Sequence, residues 1–289
     1  MEKRLRSGFL PDVSAASTSV LLELMAILGA YRDALVLVGG WAPYFLIETS
    51  KRPDDKFEHV GSIDIDLAVD PKKVDEAAYA TIVELIKERG YREALDKNGV
   101  PKVFVFQREV ELSDKSKEAI EVDFLGPESG GTGKTHRHQR VQPDLMVRKI
   151  SGGDIVFDHC WWHRLAGTLP NGSTNDVELK IADVVACLTM KGYVLGERYA
   201  EKDAYDIYSV ISHYKGGFKD VAQEVRPYLT NGLVREGMRR IADKFKTSES
   251  IGPIWVAEFL EPATEEDRDR VATDAYMRVG EFIKELGLG

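Results

Sequence analysis

The stretch SIDIDL (residues 62–67) places Ile63, Ile65 and Leu67 on one face and Asp64 and Asp66 on the other, and Val69 continues the apolar face. A period of two residues is typical of a β-strand that buries one face. Asp64 and Asp66 lie at positions i and i+2 of this strand, so their carboxylates project from the same face. Two such carboxylates can share one divalent cation, and oxygen ligands with open positions suit Mg²⁺ or Mn²⁺. The stretch therefore predicts a sheet that carries a metal site on one face.

A glycine pair precedes this strand in the chain. Residues 35–38 form a short apolar run that predicts a buried strand, and Gly39 and Gly40 end it. A helix is expected to begin near Trp41, with Pro43 tolerated in its first turn. Glycine lets a backbone approach a phosphate closely, and a helix N-terminus favours an anion. Gly39 and Gly40 are therefore predicted to bind nucleotide.

A third carboxylate repeats the pattern on another predicted strand. In residues 120–125, Asp123 lies on the polar face together with Glu121. In two-metal phosphoryl transfer such a residue binds the second ion or accepts the proton of the attacking hydroxyl. The alternative is that an Asp-x-Asp motif is only the solvated face of an amphipathic strand, which is the better explanation for the isolated motif. The combination in this order favours a metal site.

Composition limits the class of protein. The 289 residues suffice for one large or two modest domains, and 43% hydrophobic with 30% charged residues excludes global disorder. A net charge of −9, from 39 basic and 48 acidic residues, excludes a protein that coats long duplex DNA. Only Cys160 and Cys187 occur, which excludes a disulfide scaffold and fits the cytoplasm. No apolar run is long enough to cross a bilayer, because residues 34–47 contain two glycines and Pro43.

The element pattern predicts an α+β protein with two domains. Residues 1–178 are expected to form a mixed α/β domain and residues 179–289 a helical one. Besides the three strands above, the predicted elements are a helix capped by Ser17 or Thr18 that extends to residue 30, a helix over 75–89, a strand over 103–106 and a hairpin of 155–169 with 177–181. Helix breaks are expected near Gly196, Gly216–Gly217, Gly232 and Gly252–Pro253.

The helical half contains a second group of charged residues. Lys191 lies on its first predicted helix, and the segment KDAYDIY (residues 202–208) lies on the next. Asp203 and Asp206 are three residues apart and share a helix face beside Lys202. The alternative to a binding site is an ion-pair cluster, since Lys202 and Asp206 have the i,i+4 spacing of a helical salt bridge.

In this order, the segments resemble the DNA polymerase β-like nucleotidyltransferase superfamily. The segments VGGWA (38–42), SIDIDL (62–67) and residues 190–208 together resemble its AbiEii/AbiGii toxin-type branch. The resemblance implies a mixed-sheet nucleotidyltransferase core followed by a helical domain. Two features depart from the family pattern: a polar insert at residues 51–59, and Gly-Gly in place of Gly-Ser, for which the Ser62 hydroxyl is a partial substitute.

The same resemblance implies roles for the site residues. Asp64, Asp66 and Asp123 would hold metal, and Asp123 would also help to activate the acceptor. Lys191 would neutralise the charge of a triphosphate. The remaining nucleotide-binding residues would be Gly39, Gly40, Ser62, Lys202, Asp203 and Asp206.

The implied reaction is Mg²⁺-dependent transfer of NMP from an NTP to an acceptor. The family suggests an RNA acceptor such as the tRNA 3′ end, together with a separate antitoxin protein as partner. Two alternatives stay open: a small-molecule acceptor of the antibiotic type, and a catalytically silent scaffold of the same fold.

The segment GGTGKT (residues 130–135) resembles the phosphate-binding loop of ATPases. The G-x-x-x-x-G-K-[ST] motif requires glycine where this chain has Glu128, so an ATPase loop is rejected. Residues 134–149 nevertheless contain five basic residues and one acidic residue. This basic strip either contacts a triphosphate or RNA, or is a solvated loop.

Overall fold

The computed structural model describes residues 5–74, 80–128, 138–197 and 201–288. The helices are α1 Pro11–Ile27, α2 Trp41–Ser50, α3 Ile82–Glu88, α4 Val184–Glu197, α5 Glu201–His213, α6 Phe218–Val225, α7 Gly232–Lys244, α8 Ile251–Leu260 and α9 Glu265–Leu286. The strands are β1 Leu35–Leu37, β2 Ile65–Val69, β3 Arg92–Leu95, β4 Pro101–Glu111, β5 Lys117–Pro127, β6 His138–Arg140, β7 Met146–Ile150, β8 Cys160–Thr168 and β9 Thr174–Ala182. These elements form two compact units, each described by itself below.

The sheet unit comprises Leu10–Trp41 and Ser62–Ala182. Its sheet has the strand order β3-β4-β5-β2-β1-β9-β8, and β7 pairs with both β5 and β6. β2 runs parallel to β5 and antiparallel to β1, whereas β9 runs parallel to β1. Parallel and antiparallel pairs in one sheet confirm the predicted α+β class with a mixed sheet.

Helix α1 belongs to the core of the sheet unit. It begins at Pro11, six residues before the predicted cap, because proline is well suited to the first helical turn. Ser17 is wrongly predicted as a cap: it is buried in the helix, and the Trp41 indole N–H donates to its hydroxyl at 3.3 Å. The cap prediction also fails for Thr18, whose hydroxyl donates to the Ser14 carbonyl one turn earlier.

The strands of the sheet unit differ in extent from their predicted cores. β4 and β5 continue well beyond residues 103–106 and 120–125, because charged residues pair across their solvated ends, as Lys117 does with Glu109 at 2.6 Å. The hairpin starts only at Cys160, since Gly153–Phe157 forms a 3₁₀ turn. Helix α3 covers residues 82–88 of the helix predicted over 75–89, behind a Thr81–Glu84 capping box. Residues 75–79 lie outside the described residues.

The helical unit comprises Met1–Phe9, Ala42–Gly61 and Asp183–Gly289. Helices α4 and α7 approach backbone to backbone, because a Cβ on Gly192 would lie 2.2 Å from the Gly237 carbonyl oxygen. The helix breaks predicted near Gly232 and Gly252–Pro253 are confirmed, because α7 begins at Gly232 and α8 begins at Ile251. Gly232 and Gly252 lie in the first turns of α7 and α8, where helical hydrogen bonds from their N–H groups are not needed.

The composition of the helical unit differs from the predicted division at residue 178. Residues 42–61 group with the C-terminal helices, because their side chains and backbone bond to those helices. The Val60 N–H donates to the Tyr205 hydroxyl at 3.4 Å, and the Phe57 ring stacks on His213 with centroids 3.7 Å apart. None of the helices in the described ranges is long and apolar enough to cross a membrane.

Candidate functional site

Two predicted carboxylates are direct neighbours in the sheet. β2 and β5 pair in parallel with Asp66 opposite Asp123, so the two side chains leave the sheet on the same face. The next pair in the register, Leu67 and Phe124, lies on the other face and is fully buried. Burial of that apolar face fixes the register, because a slip of either strand by one residue would turn its carboxylate into the core.

Gly39 lies against the Asp66 side chain at the end of β1. The Val38 N–H donates to the Asp66 carbonyl at 3.0 Å, which brings the two strands together at this point. Gly39 has a φ of +64°, and a Cβ built on it would lie 1.9 Å from Asp66 Oδ2. The carboxylate therefore occupies the space that any other side chain at position 39 would take. Both the backbone angle and this contact require glycine.

Asp64, Ser62 and Gly40 flank this pair along the chain. Asp64 is half-buried and directly precedes β2. The Ser62 hydroxyl is buried and donates to the Asp64 carbonyl at 3.0 Å. This hydrogen bond stabilises the backbone conformation at this turn. Gly40 lies in the turn between β1 and α2.

Asp123 has a strongly perturbed environment. Burial and the neighbouring charge of Asp66 raise the pKa of Asp123 to about 7, although Arg148 acts in the opposite direction. Arg148 Nη2 donates to Asp123 Oδ2 at 2.5 Å. Asp123 Oδ1 is buried and has no hydrogen-bond partner among the described residues.

The donor set of this site fits Mg²⁺ or Mn²⁺. Asp66 and Asp123 offer oxygen atoms only, and a cation would relieve their mutual repulsion and satisfy the buried Oδ1. Within the described ranges, no three side chains form a ready-made metal-binding group. The structure thus brings two of the three predicted ligands together, and Asp64 does not complete a preformed triad with them.

The predicted residues of the helical half form a buried ionic cluster. Lys191 Nζ on α4 donates to Asp203 Oδ1 and Asp206 Oδ2 on α5, each at 2.6 Å. Lys202 Nζ donates to the other oxygen of Asp206 at 2.6 Å. Two positive charges thus face two negative ones. The predicted i,i+4 ion pair between Lys202 and Asp206 is present, but it is buried rather than on the surface.

The pKa values of this cluster follow from its charges. Burial by itself would lower the pKa of Lys191, but the charges of Asp203 and Asp206 outweigh it and raise that pKa. Burial would likewise raise the pKa of Asp206, and the charges of Lys191 and Lys202 instead hold it well below its usual range. Lys191 and Asp206 are therefore both ionised at neutral pH. To reach the Lys191 ammonium, a triphosphate would have to displace one of its carboxylate partners.

His59 belongs to this cluster and was not predicted from the sequence. The Gly61 N–H donates to His59 Nδ1 at 3.1 Å, so Nδ1 is the acceptor nitrogen and Nε2 carries the proton. Nε2 lies 3.0 Å from Asp206 Oδ1 and donates to it. Burial lowers the pKa of His59 to about 4, which keeps the ring neutral. The only sequence signal is a lone histidine at the end of the polar insert.

Part of the predicted basic strip can be placed. Residues 129–137, which include the GGTGKT segment, lie outside the described residues. Arg140 is exposed on β6, and Arg148 and Lys149 lie on β7. Sequence reasoning included Arg148 only as one of five basic residues and did not foresee that it pairs with Asp123.

The two groups of charged residues differ in electrostatic state. In the helical unit, the buried charges of the cluster balance one another. In the sheet unit, the like charges of Asp66 and Asp123 are adjacent, Arg148 pairs with Asp123, and Asp123 Oδ1 has no hydrogen-bond partner among the described residues. Comparison of the chain with protein-family models, with curated proteins and with solved structures finds no significant match.

Proposed function

We propose that this chain is a Mg²⁺-dependent nucleotidyltransferase that transfers NMP from an NTP to an acceptor and releases pyrophosphate. The observation that carries the proposal is the pair Asp66–Asp123, held in register on neighbouring parallel strands with one buried oxygen unsatisfied. Arg148 binds one oxygen of Asp123, but two adjacent carboxylates with a buried unsatisfied oxygen remain costly to maintain unless a further cation binds. Gly39 supports the same assignment, since its missing side chain makes room for the Asp66 carboxylate.

The residues of the sheet unit have distinct roles in this proposal. Asp66 and Asp123 would hold the metal, and Asp64, which does not form a ready-made triad with them, would join as a third ligand only when a cation is bound. A bound Mg²⁺ neutralises the phosphate charge that develops during transfer. Asp123 also accepts the proton of the acceptor hydroxyl, as a carboxylate of the pair is placed to do. Ser62 fixes the backbone that presents Asp64.

The cluster of the helical unit enters the proposal through Lys191. Asp206 is fully buried and accepts from three side chains, whereas Asp203 accepts from Lys191 at the more exposed side of the cluster. Asp203 is therefore the partner that a phosphate would replace. In the described arrangement the cluster joins α4 and α5 to His59, and its contribution there is to the fold of the helical unit.

The acceptor proposed is an RNA end such as the tRNA 3′ end, with an antitoxin protein as partner. The motif resemblance supports this choice. The acidity of the chain permits a local contact with one RNA end and disfavours extended binding to duplex DNA.

The test is incubation of the protein with each labelled NTP, Mg²⁺ and total RNA. The wild-type protein should label RNA, and Asp66→Asn and Asp123→Asn should each reduce labelling by at least about 10²-fold. Glu121→Gln is the matched control, because Glu121 lies on the same face of β5 and pairs with Lys102 instead. Equal labelling by the wild-type and Asp66→Asn proteins would refute the metal site. Labelling of small acceptors but not of RNA would refute the RNA acceptor alone.

A further inference from the structure

Arg148 occupies a defined position beside the carboxylate pair. β7 runs parallel to β5, with Arg148 opposite Leu125, two residues beyond Asp123. The side chain reaches back to Asp123, and its guanidinium carbon lies 5.9 Å from the centre of the Phe104 ring. Phe104 in turn stacks on His138 with centroids 4.8 Å apart. A carboxylate and an aromatic ring thus hold the guanidinium in place.

This ion pair leaves one buried atom of each partner unsatisfied. Among the described residues, Arg148 Nε and Asp123 Oδ1 are both buried without a hydrogen-bond partner. A guanidinium fork usually engages a carboxylate through two parallel N–H bonds, and here it uses only Nη2. The free N–H lacks an acceptor, and the free carboxylate oxygen lacks a hydrogen-bond donor or a cation.

One ligand class satisfies both atoms, namely a polyphosphate with a bound divalent cation. The cation suits Asp123 Oδ1, and a phosphate oxygen suits Arg148 Nε. We propose that Arg148 is a phosphate-binding residue of this site, which takes a metal-bound polyphosphate through Nε while Nη2 stays on Asp123. The inference rests on the proposed function and deepens it. If Arg148 binds phosphate, the sheet unit can bind a metal-bound triphosphate through Asp66, Asp123 and Arg148.

The test compares two probes, Mg²⁺ alone and Mg²⁺ with inorganic tripolyphosphate, by calorimetric titration of the full chain. Arg148→Lys keeps a positive charge for Asp123 but lacks the second N–H of the fork. We expect the affinity for Mg²⁺–tripolyphosphate to fall about tenfold, while the affinity for Mg²⁺ alone changes less than about twofold. Arg164→Lys is the matched control, because Arg164 is an exposed strand arginine of the same sheet that pairs with Asp176.

Each outcome decides the inference. Unchanged tripolyphosphate binding by Arg148→Lys overturns it, and so does an equal loss of both affinities, which would assign Arg148 a purely structural role. Melting temperatures of the two lysine variants check that both fold. Arg148-dependent tripolyphosphate binding without nucleotide transfer to any acceptor would keep the inference and refute the proposed function. Nucleotide transfer with the same KM for NTP in the wild-type and Arg148→Lys proteins would keep the proposed function and refute the inference about Arg148.

Discussion

Substitution of Gly39 by alanine tests the packing that places the Asp66 carboxylate. The new Cβ would lie 1.9 Å from Asp66 Oδ2, 2.7 Å from Cγ and 2.8 Å from Cβ of the same residue. An ordinary contact begins at 3.4 Å, so the carboxylate oxygen has to retreat by about 1.5 Å. The backbone angle adds a second cost, because φ is +64° and alanine disfavours the left-handed region.

The two costs can be separated by a matched variant. Gly99 has a φ of +78° in the turn between β3 and β4, and a Cβ there meets no atom within 4 Å. Gly99→Ala should therefore lose only the backbone term, about 1–2 kcal/mol. Gly39→Ala should lose about 1–3 kcal/mol more, the usual range for overpacking a filled site. With about 2–4 °C per kcal/mol, its melting temperature should fall about 2–12 °C below that of Gly99→Ala.

The measurement is thermal unfolding of both variants and of a double-mutant cycle. Asp66→Gly removes all three atoms that the new Cβ would meet, so the loss caused by Gly39→Ala should shrink to the backbone term in that background. Equal losses for Gly39→Ala and Gly99→Ala, or no coupling in the cycle, would refute the reasoning. In the labelling assay, Gly39→Ala should also lose activity while Gly99→Ala retains it, because only the first displaces a metal ligand.

Three further predictions concern the buried ionic groups. Burial lowers the pKa of His59 to about 4, whereas an unfolded histidine titrates near 6.5. As the pH falls, the unfolded state therefore binds a proton before the folded state does. The free energy of unfolding should fall by roughly 3 kcal/mol between pH 6.5 and pH 4. Urea unfolding at a series of pH values measures this loss, which should be smaller in His59→Gln. Asp206→Asn leaves two buried lysines undercompensated and should cost roughly 3–5 kcal/mol at pH 7; a loss below about 1 kcal/mol would contradict the buried cluster. Glu23 accepts hydrogen bonds from two nitrogens of Arg108 at 2.9 and 3.3 Å. Glu23→Gln should therefore lower the free energy of unfolding by about 1–2 kcal/mol. The control is Glu109→Gln at an exposed ion pair, which should change it by less than about 0.5 kcal/mol.

The sequence predicted those parts of the fold that depend on local periodicity. The alternation in residues 62–67 and 120–125 was sufficient to place β2 and β5 and to assign Asp66 and Asp123 to the same kind of face. That these strands are neighbours in parallel register was not readable, because strand pairing depends on contacts distant in the chain. The third predicted ligand, Asp64, illustrates the limit, since spacing alone does not fix where its carboxylate points.

Residues 42–61 show a different limit. Their pattern has no clear period, so the sequence gives no reason to assign them to the helical unit. Individual polar contacts connect them to that unit, among them His59 with Asp206 and the Val60 N–H with the Tyr205 hydroxyl. Single hydrogen bonds between distant residues leave no signal in composition or periodicity. The same reason explains why the pairing of Arg148 with Asp123 was not foreseen.

The contrast between the two charged groups bears on which of them binds substrate. A buried charge is tolerated in a fold when it is paired and its hydrogen bonds are made, and the cluster around Asp206 meets this condition with three donors on one carboxylate. The Asp66–Asp123 pair does not meet it, because like charges are adjacent and Asp123 Oδ1 has no partner among the described residues. Departures of this kind concentrate at sites that bind ligands, where an incoming group supplies the missing partner. The sheet carboxylates are therefore the stronger candidate for the catalytic centre.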